Sequence, residues 1–143
     1  MARTAAKPPK SELSLHMRVA GLLKTMLAEP AWFTTFPAGA APTEMRNKIN
    51  ASIGLRKGVP DILIVHQGIA HWLELKMPGK GRLSTAQTET HLALVAAGCK
   101  VATCESFEQV KATLDEWRIP RRSQSRSSEM FATAVKGEFA APA

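Results

Sequence analysis

Cysteine is scarce in this chain, with only Cys99 and Cys104 among 143 residues. Two thiols are too few for a disulfide framework and stand in no CxxC spacing, so the expectation is two free thiols near a buried strand in a reducing cytoplasm. No run of about 18 apolar residues occurs, which argues against a membrane-spanning helix. The opening "MARTAAKPPK" is basic but leads into no apolar h-region. The helical pattern after it carries His16, Arg18 and Lys24, so a secretory signal is not expected either. Internal repeats are missing, as are a P-loop and any supported Ser-His-Asp or Cys-His arrangement. Acidic residues are few. Twelve Asp and Glu stand against 19 Lys and Arg, a net charge of +7 that suggests a polyanionic partner, most simply nucleic acid. A membrane-surface protein would want a basic helix with a broad leucine or aromatic face, whereas the basic residues here lie mostly in loops and tails.

What is present suffices for one ordinary domain with a real core, at 45% hydrophobic residues. Residues 1–10 read as a flexible basic arm, 11–119 as the folded domain, and 120–143 as a basic, disordered tail in which Arg121, Arg122 and Arg126 offer a sequence-independent grip. Leu15, Val19, Leu22, Leu23, Met26 and Leu27 recur with helical spacing after Ser11, a plausible N-cap, and Pro30 stops that helix. "AWFTTF" reads as a strand, 43–52 as a short helix, and "GLRKGVP" as a glycine-bracketed basic loop. Strands "DILIV" and "HWLELK" follow, then a second basic glycine loop, "MPGKGRL". "STAQTETHLALVAAG" is a helix between Ser84 and Gly98, "KVATC" a strand, and "SFEQVKATLDEW" an amphipathic helix. The implied packing is an α/β domain, a sheet with helices on both faces.

The stretch "PDILIVHQGIAHWLELK" places three charges on strands that otherwise read as core. Side chains alternate across a strand, so Asp61, Leu63 and Val65 share one face, as do Trp72, Glu74 and Lys76. A turn at Gly68–Ile69 pairs Gln67 with Ala70, Asp61 with Lys76 and Leu63 with Glu74, bringing all three charges to one side. The two carboxylates then sit on a diagonal of about 7–8 Å, within reach of one divalent cation. Two oxygen ligands with room for water suit Mg²⁺ or Mn²⁺, and Lys76 beside them suits charge stabilisation at a phosphate. A solvated sheet face with an ordinary Asp–Lys cross-strand pair fits the same spacing. His66 and His71 face each other on the opposite side in this register and make a poor zinc site by themselves. His91 shares a helix face with Gln87 and so could approach the site, although an ordinary surface histidine is the simpler expectation.

Pro60-Asp61 followed by Glu74-Leu75-Lys76 resembles the PD-(D/E)xK nuclease signature on the two core strands where that superfamily carries it. "RKGVPDILIVHQGIAHWLELKMPGKGRLSTAQ" is similar to the VRR-NUC branch in its small stand-alone form, common in bacteriophages. The resemblance runs from the first helix through "GCKVATCESFEQVKATL". It implies a restriction-endonuclease-like αβββαβ core with a central mixed sheet flanked by helices. It further implies a DNA endonuclease dependent on Mg²⁺ or Mn²⁺, acting on branched, flapped or junction DNA, and working as a homodimer without organic cofactor. On it, Asp61, Glu74 and the backbone carbonyl of Leu75 hold the metal, Lys76 is the catalytic lysine, and Gln87 and Glu12 complete the site from the third and first helices. Gln87 has a second reading, since Ser84-Thr85-Ala86-Gln87 fits a capping box, and one side chain is expected to serve only one role. Glu12 likewise fits as a first-turn acid favoured by the helix dipole. Arg56, Lys57, Lys80 and Arg82 bracket the hairpin and are expected on DNA phosphates. The competing functional reading is a non-catalytic DNA-binding module or an inactive relative.

Overall fold

The computed structural model describes residues 10–36, 43–79 and 81–122. Within them the elements run α1 (Glu12–Met26), β1 (Trp32–Thr35), α2 (Glu44–Ser52), β2 (Ile62–His66), β3 (Ile69–Leu75), α3 (Thr85–Ala96), β4 (Lys100–Cys104) and α4 (Phe107–Glu116). The four strands form one sheet in the order β1-β2-β3-β4, antiparallel across the first two pairings and parallel between β3 and β4. The parallel pairing follows from α3, a crossover helix that returns the chain to the sheet in the same direction.

Local chemistry sets where each helix begins. The Ser11 side chain accepts from the Ser14 N–H while Ser14 Oγ accepts from the Ser11 N–H, both at 3.1 Å, closing the first turn of α1. Thr43, Ser84 and Ser106 cap α2, α3 and α4 in the same position. Leu15, Val19 and Leu23 of α1 and Val110 and Leu114 of α4, spaced four apart, are buried against Ile62, Ile64, Leu73 and Leu75. That alternate set of strand residues makes one sheet face apolar. A Leu23→Ala cavity there would cost about 2–5 kcal/mol. The other face carries Asp61 and Glu74, and α3 covers it at the Glu74 end. α2 buries none of its residues.

The hairpin register differs from the one inferred above. The turn is Gln67–Gly68, at φ +51° and +73°, and His66 pairs with Ile69. Two central residues at positive φ give the primed turn whose twist matches the strands. This turn leaves Ile69 in the ladder, adding a pair. Facing partners therefore move by two residues: Leu63 meets Trp72, Ile62 meets Leu73, and continuing that register by one residue brings Asp61 level with Glu74 rather than Lys76. A shift of two preserves the faces, so the side chains still emerge where alternation put them. His66 and His71 do not face each other. His71 pairs with Ile64 and is buried, its Nδ1 3.3 Å from the Ile64 carbonyl and its ring against Trp117.

The folded part also extends past the expected boundary at residue 119. Ala28 donates to the Pro120 carbonyl, Arg122 to that of Met26, and the Arg121 guanidinium pairs with Asp115. Arg121 and Arg122 thus belong to the packed domain rather than to a free basic tail. Arg126, the rest of the tail and the first nine residues of the arm lie outside the described residues, as does Lys80.

Candidate active site

Asp61 is fixed by the chain on both sides of it. Its backbone carbonyl accepts from the Phe36 N–H at 2.9 Å, and its Oδ2 accepts from the Leu75 N–H at 2.7 Å. The second bond crosses from β2 to β3 and ties the carboxylate to the residue between Glu74 and Lys76. Burial raises the Asp61 pKa, opposed by the Leu75 N–H and by the nearby His16 and Lys76. His16 lies one helical turn after Glu12, so α1 brings a buried imidazole as well as an acid to this end of the sheet.

Glu74 is 2% exposed, an unusual place for a carboxylate. Its Oε1 accepts from Gln87 Nε2 at 2.8 Å and lies 3.6 Å from Lys76 Nζ. Its Oε2, also sealed from solvent, has no hydrogen-bond partner and lies 3.8 Å from His91 Nε2. Burial and the charge of Asp61 push the Glu74 pKa from 4.5 to about 7, against the pull of Lys76. Lys76 is itself buried. Its Nζ reaches Glu12 Oε1 at 4.0 Å, so α1 does deliver an acidic side chain to the cluster.

Gln87 performs both functions that were set against each other. Its Oε1 accepts from the Ser84 N–H at 2.9 Å, completing the capping box, while its Nε2 donates to Glu74. The two ends of an amide point apart, so one side chain closes the helix start and holds the carboxylate. His91 is buried rather than a surface residue; burial lowers its pKa, and Lys76 lowers it further. Its signal in the sequence is its place four residues after Gln87 on one helix face.

Two glycines shape the surroundings. A Cβ on Gly58 would fall 2.3 Å from the Ala86 carbonyl oxygen, and Gly58 sits at φ +77°. Its bare backbone lets the loop carrying Arg56 and Lys57 seat on the first turn of α3, and in the next turn Thr90 Oγ1 donates to the Lys57 carbonyl at 2.6 Å. Arg56 and Lys57 are exposed and line a groove of about 720 Å³ beside α3. On the other side, a Cβ on Gly81 would fall 2.6 Å from Lys76 Cβ and 2.8 Å from its Cδ. The loop after β3 therefore folds down onto the Lys76 stem. Arg82 follows on that loop, exposed.

The donor set suits a hard divalent cation. Two carboxylates are brought level, both with raised pKa, and the buried Glu74 Oε2, which faces His91, has two lone pairs and so keeps one open to a cation whatever the imidazole takes. Among the described residues no group of three or more His, Cys, Asp or Glu forms a metal cage. An ion here would complete its shell with a backbone carbonyl and water, as Mg²⁺ does.

No protein-family model and no curated protein matches the sequence. Among solved structures the chain is similar to one described as a VRR_NUC domain protein, with a TM-score of 0.63 at 15% sequence identity. The likeness covers 80% of this chain and 93% of that one. At this identity it is a likeness of fold: a VRR-NUC, restriction-endonuclease-like arrangement of a mixed four-stranded sheet with flanking helices.

Proposed function

We propose that this protein is a DNA endonuclease dependent on Mg²⁺ or Mn²⁺, cutting phosphodiester bonds by attack of water. The observation that carries the reading is the convergence of Asp61, Glu74 and Lys76 at one end of a sheet face, braced by Gln87. The fold shared with a VRR_NUC domain protein supports it. Asp61, Glu74 and the Leu75 carbonyl would hold the metal. When bound, the ion supplies Lewis acidity toward the scissile phosphate and the attacking water.

The remaining steps belong to the protein. Lys76, held at Glu74 Oε1, is set to orient the water and to offset negative charge gathering on the phosphate oxygens. Gln87 fixes the Glu74 carboxylate, and Glu12 flanks Lys76 from α1. Arg56 and Lys57 on one side and Arg82 on the other grip the DNA backbone, and Lys80, two residues before Arg82 in the sequence, is proposed to join them. Such contacts position DNA without reading its bases. The proposed selectivity is accordingly for DNA shape: branched, flapped or junction substrates. Two copies acting as a homodimer would cut two strands symmetrically.

The test is a cleavage panel of linear, nicked, flapped and four-way-junction DNA with Mg²⁺, Mn²⁺ or EDTA. Metal-dependent cutting of the branched members, lost in Asp61→Ala and Glu74→Ala variants that remain folded, is the expected result. Salt-sensitive binding without turnover in any divalent metal would establish a DNA-binding module instead.

A further inference from the structure

Glu74 Oε2 and His91 Nε2 are both sealed from solvent, both lack a hydrogen-bond partner, and lie 3.8 Å apart. Buried polar atoms are nearly always paired. Two orphans facing each other across so short a gap can satisfy one another. An N–H···O bond spans about 2.9 Å, so the gap is under about 1 Å too wide, a distance that small side-chain rotations cover. A bridging water needs more room than this gap offers.

The helix geometry makes the pairing systematic. Gln87 and His91 are four residues apart on α3 and project from one face of it. Gln87 already holds Oε1 of Glu74 at 2.8 Å. We propose that His91 is a positioning residue whose Nε2–H closes onto Glu74 Oε2, so that α3 grips this carboxylate by both oxygens. A carboxylate held at both oxygens has a fixed plane, yet each oxygen retains a second lone pair for a further partner. The clamp thereby sets the direction in which Glu74 presents its free lone pairs alongside Asp61. Its bearing on metal binding rests on the nuclease reading above, whereas the His91–Glu74 contact does not.

Two measurements test it separately. In long-range ¹H–¹⁵N spectra of the imidazoles, His91 Nε2 is expected as a protonated, hydrogen-bonded nitrogen whose signal moves on Glu74→Ala. In calorimetric Mn²⁺ titration, His91→Leu is expected to weaken binding by about 10–100-fold, the usual cost of losing a partner of a metal ligand. His91→Gln, whose amide nitrogen falls where Nε2 was, should recover most of that loss. Should the Leu variant fail to fold, Gln against the shorter Asn makes the same comparison, with Gln expected to bind tighter. An Nε2 signal indifferent to Glu74→Ala overturns the clamp, as does a folded His91→Leu that binds Mn²⁺ like the parent. A parent protein that binds no Mn²⁺ overturns the nuclease reading, and the imidazole spectrum then decides the clamp by itself.

Discussion

Burial and the neighbouring Asp61 charge lift the Glu74 pKa from 4.5 to about 7, and the shift fixes how stability responds to pH. The folded state holds this proton more tightly than the unfolded chain does. Its contribution is therefore fully present below pH 4.5 and is lost as pH rises through about 7, a difference on the order of 3 kcal/mol. Glu74→Gln is expected to raise the melting temperature of the metal-free protein at pH 8 while removing cleavage, a direct exchange of stability for function. Added Mg²⁺ should raise the melting temperature of the parent more at pH 8 than at pH 5, because the ion relieves the charge that ionisation creates. Calorimetric scans at the two pH values check both, and equal melting temperatures for parent and variant at pH 8 would contradict the assignment of Glu74. Lys76 has a different signature. Lys76→Ala should cost roughly 10²–10³-fold in single-turnover rate while Mn²⁺ affinity is kept, since it serves the transition state and not the ion.

At the scale of elements, the loop after β3 acts on the site through a missing side chain. Gly81 lies where a Cβ would push into Lys76 Cβ and Cδ, so Gly81→Ala must displace either the loop or the lysine. A displacement of about 1 Å at a reacting group can cost about 10²-fold. The expected outcome is a loss of that order in single-turnover rate with metal affinity unchanged, and faster chemical acetylation of Lys76 by mass spectrometry. Much of this architecture could be read from sequence because strand alternation has a period of two. The hairpin turn lies one residue earlier than inferred, yet a register error of two returns Asp61 and Glu74 to the same face. The helix starts were equally legible, since Ser11, Ser84 and Ser106 announce them by local chemistry alone. Burial of His91 was not, because it depends on how α3 docks over Glu74, a contact between residues 17 apart. The docking of Arg121 and Arg122 beside the end of α1 depends on still more distant partners, and composition there suggested only a solvated tail.

For the molecule as a whole, a net charge of +7 would make the proposed DNA binding a matter of counterion release. Affinity should fall linearly on logarithmic axes with salt, with a slope near −0.9 per phosphate neutralised. Arg56 and Lys57 stand exposed on a loop seated against α3. Replacing both with Ala is expected to flatten that slope by about 2 and weaken binding alike on DNA of any sequence. Fluorescence anisotropy across a salt series, on two unrelated sequences of one branched shape, measures this. A loss confined to one of the sequences would mean that the loop reads bases.

The amide of Gln87 leaves its position little freedom to vary. It must offer an oxygen to the Ser84 N–H and a nitrogen to Glu74 from the same side chain. Glutamate keeps the cap but sets a second acid against Glu74, lysine can reach Glu74 but has nothing for the cap, and asparagine is a methylene short. A saturation library at position 87 should consequently split by what is demanded of it. Selection for folded protein would return Gln and Glu together, whereas selection for cleavage would return Gln almost alone.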